Sequence, residues 1–184
     1  MGKVVVWNLV TVDGFFEGPE PRDLAFHEIA WGPELTALSE EFGARAEALV
    51  FGRKTYEGMA AYWPAAEDEG DTKDYMNRLP KLVASRTLTD LGWTNSRATD
   101  DIAGELRALK ARSEQPVYIF GSAELVGSLL PEKVIDEIKL AVVPVLLGRG
   151  RRLFGEGARV PLTLLAAEAV KGGTVLLTYA VGAD

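Results

Sequence analysis

The chain has 184 residues, no cysteine and one histidine, with 47% hydrophobic and 26% charged residues and a formal net charge of −7. That length and composition suit one globular domain over residues 1–184, and the negative charge argues against non-specific nucleic-acid binding. Without cysteine there are no disulfides, thiolate zinc sites or cysteine nucleophiles, and the lone His27 gives little basis for a histidine metal site, so no metal is expected.

No apolar run reaches membrane-spanning length, and the first residues lack a basic-then-hydrophobic signal pattern, so a cytoplasmic protein is expected. Any chemistry must then come from a bound cofactor or from carboxylates.

Lys3 to Val10 is a valine-rich run, read as a strand covered on both faces. It ends in Thr11-Val12-Asp13-Gly14, where Asp-Gly forces a turn. Asp13 is read either as a ligand-facing group at a strand's carboxyl end or as a plain turn residue. Phe15 to Gly32 reads as a long loop able to cover a site, with His27 a loop residue. Pro33 to Arg45 has the spacing of an amphipathic helix, and Glu34 falls in its first turn, where a carboxylate suits the helix dipole.

Ala48-Leu49-Val50-Phe51 is a buried strand that runs into Gly52, Arg53, Lys54 and Thr55. A strand that delivers a glycine to a helix start gathers unpaired N–H groups, which favour an anion. Two cations add to that, and Thr55 is placed to cap the helix. The same residues also fit a solvated strand–turn–helix, and the Walker A ending is missing. Ala61 to Gly70, with Glu67-Asp68-Glu69, reads as a solvated loop, and Thr72 to Leu79 as a short helix. Lys81 to Ala84 is a strand ending in Ser85 and Arg86. Thr99-Asp100-Asp101 caps a helix carrying Ile102, Leu106 and Leu109.

A second glycine turn, Gly121-Ser122-Ala123-Glu124, follows the strand Pro116 to Phe120. Ile138 to Leu147 reads as a strand, with Pro144 marking an edge or a bulge. Gly148 to Arg152 is a basic loop, and Leu162–Val170 with Thr174–Val181 forms a closing hairpin. The alternation of strands and helices predicts an α/β fold with a mostly parallel, twisted sheet and an antiparallel C-terminal hairpin. Three strand ends, at Gly52, Ser85 and Gly121, would suit a dinucleotide if they converge and would be ordinary turns if they do not.

Phe-Gly-Arg-Lys-Thr-Tyr-Glu, Leu-Val-Ala-Ser-Arg and Ile-Phe-Gly-Ser-Ala-Glu-Leu, in that order, resemble segments of dihydrofolate reductases. Val-Asp-Gly-Phe and Val-Pro-Val-Leu-Leu-Gly-Arg-Gly are closer to the reductase domain at the C-terminus of the bifunctional riboflavin-biosynthesis deaminase-reductase, RibD, and its free-standing relatives. The resemblance covers nearly the whole chain. It implies a dihydrofolate-reductase-like three-layer α/β/α fold, NADPH as cofactor, a small heterocyclic substrate and a homodimer.

By that resemblance Gly52, Arg53, Lys54 and Thr55 would contact phosphates, and Ser85 and Arg86 would hold the 2′-phosphate. Gly121, Ser122, Ala123 and Glu124 would cradle the pyrophosphate, while Val12 and Asp13 would lie near the nicotinamide and the substrate. Asp13 is the first candidate for proton delivery, with water or Glu34 behind it. Riboflavin-type reductases usually show Glu-x-Gly where this chain has Ile-Phe-Gly, so Phe120 is expected in place of a substrate-binding carboxylate. Reduction of 5-amino-6-(5-phosphoribosylamino)uracil, the family activity in riboflavin biosynthesis, is therefore not implied outright. A catalytically silent NADP-binding sensor or scaffold and a dihydrofolate reductase are the alternatives.

Overall fold

In the computed structural model, which describes residues 1–67, 69–155 and 159–182, the chain opens with β1 (Val4–Thr11), β2 (Phe15–Glu17), α1 (His27–Ala30) and α2 (Pro33–Arg45). It continues through β3 (Ala48–Gly52), α3 (Arg53–Tyr62), α4 (Gly70–Arg78), β4 (Lys81–Ala84), β5 (Ser96–Thr99) and α5 (Ile102–Arg112). The last part is β6 (Val117–Phe120), α6 (Ala123–Leu129), β7 (Glu137–Val143), β8 (Arg151–Arg152), β9 (Leu162–Ala169) and β10 (Val175–Val181). Asp68 of the expected acidic loop, and Ala183 and Asp184 at the expected domain end, lie outside the described residues.

One sheet has the order β5-β4-β3-β6-β1-β7-β10-β9, parallel from β5 to β7 and antiparallel through β10 and β9. Alternation along each central strand divides the core into two layers. Val4, Val6, Val50, Leu82 and Ile119 meet Leu106 and Leu109 of α5 and Leu125, Val126 and Leu129 of α6. Val5, Leu49, Phe51, Val83 and Tyr118 face the other way, onto Phe42 of α2, Tyr56 of α3 and Tyr75 and Met76 of α4. Both faces are thus covered, as the valine-rich strands require, giving the expected three-layer α/β/α arrangement.

Several expectations need correction. Phe15–Gly32 is not one loop, because it holds β2, which pairs with β8, and the short helix α1, which begins at His27. The strand expected to reach Leu147 stops at Val143, since Pro144 has no N–H for the ladder. β7 is also no edge: it lies between β1 and β10, and the exposed edge is β9. The loop expected from Ala61 is shorter, with α3 running to Tyr62 and α4 starting at Gly70. Helix α3 begins at Arg53 with Gly52 as its N-cap, so Thr55 sits inside the first turn and does not cap it.

Candidate functional site

Adjacent strands β3 and β6 send their helices to opposite faces: α3 packs with the Tyr56 layer and α6 with the Leu125 layer. A crevice opens beyond the carboxyl ends of such a strand pair, where open α/β sheets bind ligands. The two glycine turns there are locked to one another. The Gly52 N–H donates to Ser122 Oγ at 2.9 Å, and that hydroxyl donates to the Phe120 carbonyl at 2.9 Å. Gly121 and Ser122 both take left-handed backbone, with φ of +58° and +64°. A Cβ on Gly121 would come within 3.0 Å of Thr55 Cγ2, so only glycine lets the two turns approach this closely.

The resulting cleft has a volume of about 560 Å³ and is lined by Gly52, Arg53, Lys54, Thr55, Ser85, Arg86, Ser122, Ala123 and Glu124 among others. Nine residues singled out from sequence therefore share one cleft, with Gly121 packed beneath Thr55. Such a volume falls within the range of small-molecule sites, roughly 300–1,000 Å³. Four cationic side chains (Arg53, Lys54, Arg86 and Arg151) stand against two carboxylates, Asp100 and Glu124, on its wall. In a chain of net charge −7 this is a local reversal of sign, which concentrates anions there.

The cations are held differently. Arg53 pairs with Glu57 one helical turn away at 3.1 Å. Lys54 Nζ lies 3.2 Å from Glu124 Oε1. Arg86 is exposed and makes no ion pair among the described residues. Ser85 Oγ accepts the N–H groups of Thr87 and Leu88 at 3.3 and 3.0 Å, which curls the ledge that presents Arg86.

Val12, Asp13 and Glu34 are not on this wall. Val12 and Asp13 follow the carboxyl end of β1, and the Val12 N–H donates to the Val145 carbonyl. Asp13 is engaged on several sides: Oδ1 accepts from Thr11 Oγ1 at 2.6 Å and from the Leu147 N–H at 3.3 Å, while Oδ2 accepts from the Gly148 N–H at 2.8 Å. The Thr11 hydroxyl and these N–H groups hold the carboxyl below its usual range, against the opposing pull of burial. Glu34 is exposed in the first turn of α2, as the dipole reading expected.

Phe120 is buried and packs against Phe51 and Tyr118, so it belongs to the core and is not on the wall of this cleft. The first position of the Glu-x-Gly pattern falls instead on Ile119, which is buried under the opposite layer of helices.

Arg151 was not singled out from sequence as a site residue. Its signal was the charge density of Gly-Arg-Gly-Arg-Arg in an acidic chain, but nothing local shows that β8 pairs with β2 and swings this loop against the cleft. Phe16, Thr99 and Asp100, which also line the cleft, carry no local signal at all.

A model of the RibD C-terminal domain matches residues 2–176. The chain is 26% identical to the uncharacterised protein YyaP of Bacillus subtilis, over 96% of this chain and 94% of that one. Among solved structures it is similar to a Shewanella sp. PV-4 protein named for riboflavin biosynthesis. The two are 21% identical, with a TM-score of 0.74 over 97% of this chain and 98% of the other. It is also similar to a dihydrofolate reductase of Enterococcus faecalis, solved with NADP(H), at 17% identity and a TM-score of 0.64 over 99% and 98% of the two chains. At these identities the solved structures speak for the fold, while the matched stretch of 2–176 speaks for kinship. The chain belongs to the RibD C-terminal domain family.

Proposed function

We propose that the protein is an NADPH-dependent reductase of the RibD C-terminal, dihydrofolate-reductase-like class. Its substrate would be a small heterocycle with a reducible C=N or C=O bond. The observation that carries this reading is the pair of glycine turns locked through Ser122 at a topological switch point, beneath a cationic cleft in an acidic chain.

The residues present fit such a cofactor. Gly52, Thr55, Gly121, Ser122 and Ala123 allow close approach of a diphosphate to the backbone, with Lys54 and Arg151 supplying charge on either side of Glu124. Ser85 and Arg86 form a ledge suited to a ribose 2′-phosphate, for which a guanidinium offers paired, charge-assisted hydrogen bonds. When bound, NADPH supplies the hydride.

Asp13, held ionised by its donors, is a poor source of a proton, and we assign it to positioning the 145–148 segment. Proton delivery then falls to solvent, with Glu34 as the second candidate. The protein works in this reading as a cytoplasmic homodimer in which residues 1–184 form one domain.

NADPH titration followed by turnover with a panel of heterocyclic imines and carbonyls tests the proposal, with the riboflavin-pathway pyrimidine and dihydrofolate included. Tight binding with no oxidation of NADPH would turn the reading to an NADP-binding sensor or scaffold. Preference for dihydrofolate would turn it to a dihydrofolate reductase. A Kd weaker than about 1 mM for NADPH would overturn it.

A further inference from the structure

One carboxylate sits where the cofactor reading wants a phosphate. Glu124 Oε1 lies 3.2 Å from Lys54 Nζ and 3.3 Å from Arg151 Nη2. The three side chains come from α6, α3 and β8, three elements that meet at this cleft. A carboxylate there repels a diphosphate, so its placement does not assist the ligand through charge.

We propose that Glu124 is a built-in competitor for the cofactor's diphosphate. It pairs with Lys54 and Arg151 across the cleft and is displaced when the diphosphate binds. The inference rests on the cofactor reading above and concerns how that site is regulated.

The two carboxylates on Arg151 are unequal, and the inequality decides which one exchanges. Glu17 has a side chain only 9% exposed, lies 2.9 Å from Arg151 Nη1, and also accepts the backbone N–H of Arg22. The Arg151 guanidinium further lies 5.4 Å from the Phe16 ring. These contacts keep Arg151 in place whether or not Glu124 is present. Glu124, in contrast, has a side chain 74% exposed, with Lys54 at 63%. An ion pair that exposed is weak, because solvent screens it. It suffices to occupy the cations and is weak enough for a ligand of higher charge to replace. The backbone cannot relax the clasp, because Gly52 and Ser122 hold the two turns at fixed separation. Glu124 therefore has to move by side-chain rotation, which its exposure permits.

The test is calorimetric titration of NADPH, and separately of inorganic pyrophosphate, into wild type, Glu124→Gln, Lys54→Met/Arg151→Met and the triple variant. Melting temperatures serve as the control for folding. Glu124→Gln is expected to tighten both ligands by about two- to tenfold. In the Lys54→Met/Arg151→Met background the same substitution should change affinity by less than about twofold, because there is no clasp left to release.

Weaker binding in Glu124→Gln would overturn the proposal. An equal gain with and without the two cations would also overturn it, since that is plain repulsion. A gain for pyrophosphate in a protein that binds no NADPH would uphold the clasp and sink the cofactor reading. NADPH binding with no gain for either ligand would do the reverse, and no binding of either ligand to any variant would overturn both.

Discussion

Asp13 Oδ2 accepts the backbone N–H of Gly148 at 2.8 Å, which ties the turn after β1 to the segment that leads into β8 and Arg151. The tie is doubled by Arg152, whose Nη1 donates to the Asp13 carbonyl at 2.8 Å, and by the Leu147 N–H on Oδ1. A carboxylate accepting this many hydrogen bonds stabilises its own ionised form and fixes the chain that carries its donors. Asp13→Asn keeps the shape and removes the charge, and a hydrogen bond to a charged group is stronger than one to a neutral group. We expect NADPH affinity to fall about fivefold, amide exchange at Leu147 and Gly148 to quicken, and the rate at saturating NADPH to change by less than tenfold. An unchanged affinity with a saturated rate lower by about 10²–10⁴ would restore Asp13 as the proton donor.

Arg86 decides cofactor choice if the ledge at Ser85 takes the 2′-phosphate. A hydrogen bond to a charged group contributes about 1.5–3 kcal/mol, so Arg86→Ala should weaken NADPH by about ten- to a hundredfold. NADH has no phosphate at that place and should change little. Quenching of tryptophan fluorescence during titration of both cofactors gives the comparison. Equal losses for the two, or none, would return Arg86 to the solvent-exposed surface residues.

The strands and glycine turns that build the cleft floor were legible because each carries its own signal. Continuous apolar runs around Val50, Leu82 and Ile119 mark buried strands, and Gly52 and Gly121 mark their ends. β5 was missed because Ser96–Thr99 has no apolar run and only half-buried or exposed side chains; parallel pairing with β4 makes it a strand. β2 and β8 carry no signal of their own because they are short, three residues against two, joined only through long-range pairing. Arg151 follows from that pairing, so the second cation of the Glu124 clasp was invisible too. In the strand expected over Ile138–Leu147, the apolar run past Val143 was read as one element, although Pro144 interrupts the ladder.

His27, the one histidine in the chain, gives a clean test of pH dependence. Burial pushes its pKa down from 6.5 to about 4, and Nε2 has no hydrogen-bond partner among the described residues. The unfolded chain therefore takes up a proton between pH 6.5 and about 4 that the folded protein refuses. Stability from the neutral imidazole is complete above pH 6.5 and is lost as pH falls toward 4. The loss is at most about 3 kcal/mol, and less to the extent that solvent reaches the ring. His27→Phe should flatten the slope of melting temperature against pH across that window and leave the slope above it alone. An unchanged slope would show that the imidazole protonates freely in the folded protein.

The homodimer that the resemblance implies has a candidate surface in β9 and none in β7. β7 is covered on both sides by β1 and β10, so its apolar run needs no partner. β9 lies at one edge of the sheet, all eight of its residues are exposed, and Leu162, Leu164 and Leu165 are 42%, 54% and 53% accessible. An unpaired edge with exposed leucines is a place for association unless something blunts it. The register of β9 on β10 slips between the pairs Ala166–Thr178 and Leu164–Tyr179, leaving Leu165 as the extra residue. Such a bulge twists the edge strand and blunts backbone pairing along it, which leaves the exposed leucines as the surface for a closed two-fold pair. Light scattering at micromolar concentration should therefore give twice the 19.9 kDa chain mass. Leu164→Lys, which puts a charge on the edge, should shift the protein to monomer while leaving NADPH affinity within about twofold. A wild-type monomer would remove the dimer from the proposal, and a Leu164→Lys dimer would move the interface away from β9.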